Sequence, residues 1–119
     1  MFNPVSFLKL AEDLIKGSTD EAKIRSSISR TYYGTFHLCK NWLESLPGKR
    51  YTFQYDASDH IQVQKLLKKE KGRNTKDKFS KARRNRNYAD YDLNKEIDKV
   101  LAKDQLSLTD EILKKCGIR

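Results

Sequence analysis

The chain has 119 residues, enough for one domain (1–119) built on one core and too few for a second domain of useful size. Hydrophobic residues make up 37% and charged residues 34%, and no long apolar run occurs, which excludes a membrane-spanning helix. The formal net charge of +9 resides entirely between Lys65 and Arg86, where eleven basic residues meet only Glu70 and Asp77. Such a concentrated field draws polyanions, nucleic acid first and an anionic membrane surface second.

The opening MFNPVSFLKLAEDL lacks the basic-then-apolar order of a secretory signal, so a cytoplasmic protein is expected. Asn3 followed by Pro4 predicts a helix start, with Asn as the cap and Pro in the first turn. Phe7, Leu8, Ala11, Leu14 and Ile15 give it an apolar stripe. Gly17 ends it, and Ser18 with Glu21 reads as a capping box opening the next helix. So few joining residues predict an antiparallel hairpin.

The second helix, Lys23 to Leu46, organises the rest. Ile24, Ile28, Tyr32, Phe36, Cys39, Leu43 and Leu46 fall on one side at about 100° per residue, with Trp42 at the edge. Pro47 and Gly48 stop it. The opposite strip carries Ser26, Arg30, Tyr33, His37 and Asn41, which stack above one another at helical spacing. Arg30 above Tyr33 and His37 is a column of donors with one titratable ring, suited to holding an anion. The same residues also suit plain bonds to carbonyls or carboxylates of neighbouring helices. Cys39 and Cys116 match no metal or redox spacing, which predicts two reduced thiols, Cys39 as packing and Cys116 near the end open to solvent.

Residues 47 to 58 read as a loop. Tyr51, Phe53 and Tyr55 alternate, but no second strand-like run exists to pair with them. Their rings either pack over the bundle or offer stacking surfaces to bases. Ser58 and Asp59 are suited to cap a third helix running to about Lys71, with His60 in its first turn, free to face a cleft. Residues 71 to 75, KGRNT, read as a turn, with a fourth helix from near Thr75. There Phe79 and Ala82 point to the core, Arg86 continues their face with Arg83 close by, and Lys78, Lys81 and Arg84 point elsewhere. Outward cations such as Lys68, Lys71, Arg73, Lys76 and Arg84, together with Arg83 beside Arg86, can bind an RNA phosphate backbone without sequence preference. Arg86 must find an inward partner, either Asp90 four residues on or an anion received in a cleft. A final helix is expected from Asp92, either one long helix or two with a break at Ser107 and Thr109. The sum is an all-α antiparallel bundle of four to five helices.

The segments RSSISRTYYGTFH (residues 25 to 37) and RNRNYADYDL (residues 84 to 93) together resemble the HEPN families, small helical domains of toxin–antitoxin and defence systems. With His60 included, the similarity spans almost the whole chain. The resemblance implies a HEPN-like bundle that dimerises, with the active cleft formed by two copies, and metal-independent RNA cleavage. The family motif is an arginine followed by a polar residue and, a few positions later, a histidine. Arg86 and Asn87 match its beginning, whereas Tyr88, Asp90 and Tyr91 stand where the histidine belongs. Proton transfer would then fall to His37 or His60, with Arg86 stabilising phosphoryl charge, Asp90 orienting it, and Tyr33 or Tyr91 holding a phosphate oxygen. Alternatively Arg30, Arg86 and Asp90 form a structural network, and the basic stretch holds RNA or a protein partner such as the nucleotidyltransferase that accompanies relatives. No metal cage and no cofactor loop is suggested by the spacing.

Overall fold

The computed structural model describes all 119 residues, and it contains five helices and no strand: α1 (Val5–Ile15), α2 (Glu21–Ser45), α3 (Ser58–Lys71), α4 (Arg73–Tyr91) and α5 (Lys99–Lys115). They form an all-α bundle of 46 × 26 × 25 Å in which α2, about 37 Å long, touches each of the other four helices. No helix is long and apolar enough to cross a membrane.

Helix α2 buries the side its periodicity indicates. Ile24, Ile28, Tyr32, Phe36, Cys39 and Leu43 are buried, and Trp42 and Leu46 sit at the margin. They join two apolar clusters, a larger one with Leu8, Leu67, Phe79 and Ile112, and a smaller one with Ile15, Ala89, Ile97 and Ala102. The helix also buries a second, small-residue side made of Ser27, Thr31, Gly34 and Thr35. Their hydroxyls are satisfied at short range: Ser27 donates to the Ala11 carbonyl at 2.7 Å, Thr31 to the Ser27 carbonyl at 2.8 Å, and the Thr35 and Thr109 hydroxyls meet at 2.6 Å. A Cβ on Gly34 would lie 2.7 Å from Leu8 Cδ2 and 3.3 Å from Phe7 Cβ. The missing side chain therefore lets α1 lie close against α2 and sets where Phe7 stands. Buried Gln105 of α5 ties the inner helices together, donating to the Ala82 carbonyl at 2.8 Å and accepting from Asn85 at 3.0 Å.

Several expected boundaries move. Asn3 does accept from the Val5 N–H, as a cap should. The capping box at Ser18 and Glu21 does not form: Asp20 caps α2 by accepting from Ala22 N–H at 2.9 Å, and Glu21 turns to Arg25. Asp56, rather than Ser58 or Asp59, caps α3. Asp59 is instead buried, accepts from the N–H groups of Gln54 and Tyr55 at 2.8 Å each, and lies 3.5 Å from Lys40 Nζ. The turn expected over residues 71 to 75 shrinks to Gly72, whose φ of +93° ends one helix while the next begins at Arg73. The last helix starts at Lys99, capped by Asp98, and runs unbroken through Ser107 and Thr109. Asp92 does not cap it. Residues 92 to 98 stay irregular because Arg25 takes the carbonyls of Asp92 and Lys95. Cys116 is buried rather than open to solvent, and both it and Cys39 are free thiols.

Candidate functional site

Helices α2, α3 and α4, with the start of α1, bring most of the proposed site residues to one face. Tyr33 stands at its centre. The Arg30 guanidinium lies 5.1 Å from the Tyr33 ring centroid, and that of Arg86 lies 5.4 Å from it. Arg86 donates through Nη1 to the Tyr33 hydroxyl at 3.3 Å and also lies over the rings of Tyr32 and Tyr91, at 5.2 and 5.9 Å. Its side chain is only 9% exposed, yet its Nε has no partner. Asp90, the expected partner, reaches no closer than 4.0 Å, and its carboxylate accepts from the Ser29 hydroxyl at 3.1 Å. The pairing expected one turn along α4 is thus made only at the limit of an ion pair. Arg30 makes neither an ion pair nor a hydrogen bond and rests on Phe7 and Tyr33.

The two histidines lie on the same face in different states. His60 stacks on Phe36 with ring centroids 4.2 Å apart and meets Tyr33 edge-on at 6.3 Å. Its Nδ1 is bonded to the Tyr32 hydroxyl. Burial pushes the Tyr32 ionisation up. The hydroxyl therefore keeps its proton and shares one hydrogen bond with Nδ1, whose direction follows the tautomer of the ring. Desolvation, then the Arg83 and Arg86 charges, bring the His60 pKa down to about 4. His37 lies between Phe36 and Phe7, with centroid distances of 5.1 and 6.2 Å, and makes no hydrogen bond. Burial and the Lys40 charge hold its pKa below the usual imidazole value. Near neutral pH both rings are uncharged, and His37 has both ring nitrogens free of hydrogen bonds whereas His60 has its Nδ1 engaged.

Arg83 also faces this side. It reaches Gln64 of α3 at 3.5 Å, and its Nε is buried without a partner. The remaining cations lie elsewhere. Lys68, Arg73 and Arg84 are exposed, Lys76 pairs with neighbouring Asp77, and Lys71 lies over the Trp42 ring. Lys71 and Arg73 line a separate hollow with Lys78, Lys114 and Lys115 at the start of α4, about 20 Å along the helix from Arg86. The aromatic loop divides as well: Phe53 enters the core, Tyr51 donates to Glu70, and Tyr55 is exposed over Lys40 Nζ at 4.0 Å.

Two contributors escaped the sequence reading. Phe7 appears in the apolar stripe of α1, and nothing in its pattern signals that the ring would separate Arg30 from His37. Arg25 donates to four carbonyls, those of Tyr88, Ala89, Asp92 and Lys95, and so fixes the end of α4 that carries Asp90 and Tyr91. Its position one turn before Ser29 and two before Tyr33 was the available signal. In comparisons with protein-family models, curated proteins and solved structures, nothing matches the chain.

Proposed function

We propose that this chain is a HEPN-like protein of toxin or defence type that acts on RNA, receiving a backbone phosphate at Arg86 beside Tyr33 and His60. The observation that carries this reading is the state of Arg86. It is nine-tenths buried, its nearest carboxylate is at 4.0 Å, and its Nε is unpartnered. A guanidinium taken out of water without a counter-charge is costly, and an incoming phosphate would remove that cost. Three tyrosine rings and an imidazole around it suit a nucleotide more than a bare ion. The exposed cations Lys68, Arg73 and Arg84, with Lys71 and Lys76, add a field that attracts the backbone whatever its sequence.

Metal-independent cleavage is the activity that His37 favours, because its ring is neutral and free of intramolecular bonds. His37 would take the proton of a 2′-OH as that oxygen attacks the adjacent phosphorus and the bond to the 5′-oxygen breaks. Arg86 would stabilise the phosphoryl oxygens, and Tyr33 or Tyr91 would support the leaving oxygen. The second reading is a module that holds RNA, or a nucleotidyltransferase-type partner, without cutting. It draws support from the engagement of His60 Nδ1 by Tyr32, which removes that nitrogen from proton transfer. In either reading, two-fold pairing of the chain would set two such faces together.

The test is incubation of labelled RNA with the protein in chelator at two salt concentrations. The parent should bind with affinity that falls steeply as salt rises, and Arg86→Ala should weaken binding about tenfold or more. Product that disappears in His37→Ala identifies cleavage, and binding without product identifies the holding module. Absence of RNA binding by the parent at low salt overturns RNA cleavage and RNA holding alike, and leaves only the protein-partner form of the second reading.

A further inference from the structure

The chain has three buried side-chain polar atoms without a hydrogen-bond partner: Ser80 Oγ, Arg83 Nε and Arg86 Nε. Ser80, Arg83 and Arg86 recur every third residue, so each neighbours the next along one slanted stripe of α4, with Ser80 and Arg86 about 120° apart around the axis. Buried polar atoms are almost always paired, and each exception calls for a reason. Three exceptions on one stripe, and none elsewhere, call for a single reason.

The charges around the stripe are unbalanced in the same sense. Arg83 has no carboxylate within ion-pair distance and one long bond to Gln64 at 3.5 Å. Arg86 has Asp90 only at 4.0 Å. The other nearby acid, Asp59, is already held by Lys40 and by the N–H groups of Gln54 and Tyr55. On α4, beside α3, two guanidinium groups therefore lack a full counter-charge, and the Ser80 hydroxyl of the same helix is unpaired. Side chains three apart on a helix are about 5–6 Å from one another. Arg83 is half-buried, whereas Arg86 lies deeper, beneath the exposed ring of Tyr91.

From this arrangement we infer that Ser80, Arg83 and Arg86 form a subsite for two linked phosphate groups, with Arg86 taking the inner phosphate and Arg83 with Ser80 the outer one. The inference rests on the reading of Arg86 as an anion site and adds a second position to it. Guanidinium forks match the oxygen pairs of phosphate, and unpaired donors suit a group that only accepts. Two linked phosphates answer two uncompensated charges, where a single phosphate leaves one of them bare. They arrive either as the diphosphate of a nucleotide or as successive phosphates of a single strand.

The full chain is titrated by calorimetry with inorganic phosphate, pyrophosphate, a nucleoside diphosphate, a 5′-phosphorylated dinucleotide and an oligoglutamate peptide. Pyrophosphate should bind about tenfold or more tightly than phosphate, and Arg83→Gln should remove that preference while leaving phosphate affinity in place. Lys81→Gln, at an exposed position on α4, should keep the preference. The His60 imidazole, followed by NMR, should titrate at higher pH when pyrophosphate is bound and also in Arg83→Gln, because either change offsets or removes a cation beside it. Dispersed amide resonances of unliganded Arg83→Gln in the same NMR samples confirm that the variant is folded. Tighter binding of the nucleoside diphosphate than of the dinucleotide assigns the subsite to a free nucleotide, and the reverse order assigns it to a strand. Equal affinity for phosphate and pyrophosphate, retention of the preference in Arg83→Gln, or tightest binding of oligoglutamate overturns the subsite. RNA binding through Arg86 that survives any of those results leaves the proposed function standing. A pyrophosphate preference in a protein that binds no RNA overturns only the proposed function.

Discussion

Arg25 and Arg86 are buried to nearly the same degree, with side chains 12% and 9% exposed, and they differ in what they hold. At the end of α4, Arg25 donates to four carbonyls at 2.6 to 3.1 Å and lies 3.5 Å from Glu21. Those carbonyls include that of Ala89, left without a backbone donor at the helix C-terminus, where a cation is also favoured by the helix dipole. On the inner face of α4, Arg86 makes one bond at 3.3 Å and leaves its Nε bare. The first arginine completes the fold, whereas the second is left incomplete by it. Lys40 and Asp59 resemble Arg25, since they neutralise each other in the interior and hold the loop before α3 in place.

The comparison can be broken at its saturated side first. Asp59→Ala should cost the most, about 3–5 kcal/mol by urea denaturation, because it strands the Lys40 charge and two loop N–H groups. Arg25→Ala should cost about 2–4 kcal/mol, since it frees four carbonyls and loosens the segment 92–98. Faster amide hydrogen exchange there would accompany the loss. Gly34→Ala should cost about 1–3 kcal/mol by crowding Leu8, partly offset by the better helix propensity of alanine. It should also weaken RNA binding if the place of Phe7 matters to the Arg30 side of the face. A cost from Arg25→Ala no larger than that of a surface lysine would remove the distinction between the two arginines.

The last effect concerns pH. The His60 pKa lies near 6.5 in the unfolded chain and about 4 in the folded one. As pH falls from 6.5 to 4, the unfolded chain takes up a proton that the folded chain refuses, so stability drops through that window and levels below it. His37 acts in the same direction. His60→Gln should therefore lose less stability than the parent between pH 7 and pH 4.5, as read from urea midpoints. An identical loss in the two proteins would contradict the placement of His60 beside Arg83 and Arg86.

Much of this arrangement was legible in the sequence. The period of α2 identified its apolar side, and the step from Phe79 to Arg86 placed an arginine on a core-facing stripe. The same spacing that raised Asp90 as the partner of Arg86 could not say that Ser29 would claim its carboxylate, because that contact joins residues 61 apart. Helix starts were misread where several capping residues stand close together: Asp20 prevailed over Ser18, and Asp56 over Ser58. Local sequence offers each of them as a cap, and tertiary demands select one. Asp59 is the clearest case, since burial against Lys40 removed it from the capping role its position suggested. The small-residue side of α2 was hidden for another reason. Serine and threonine read as exposed until their hydroxyls are seen bonded to carbonyls and to one another.

The central claim is that Arg86 is kept for a ligand and not for the fold, and the direct measurement is Arg86→Met read twice on one preparation. Methionine fills similar volume without charge, so the stability should stay within about 1 kcal/mol of the parent, with lost contacts to the tyrosine rings offset by relief of the unpartnered charge. RNA affinity of the same sample should fall about tenfold or more. A variant that unfolds as readily as Arg25→Ala while binding RNA like the parent would contradict the account.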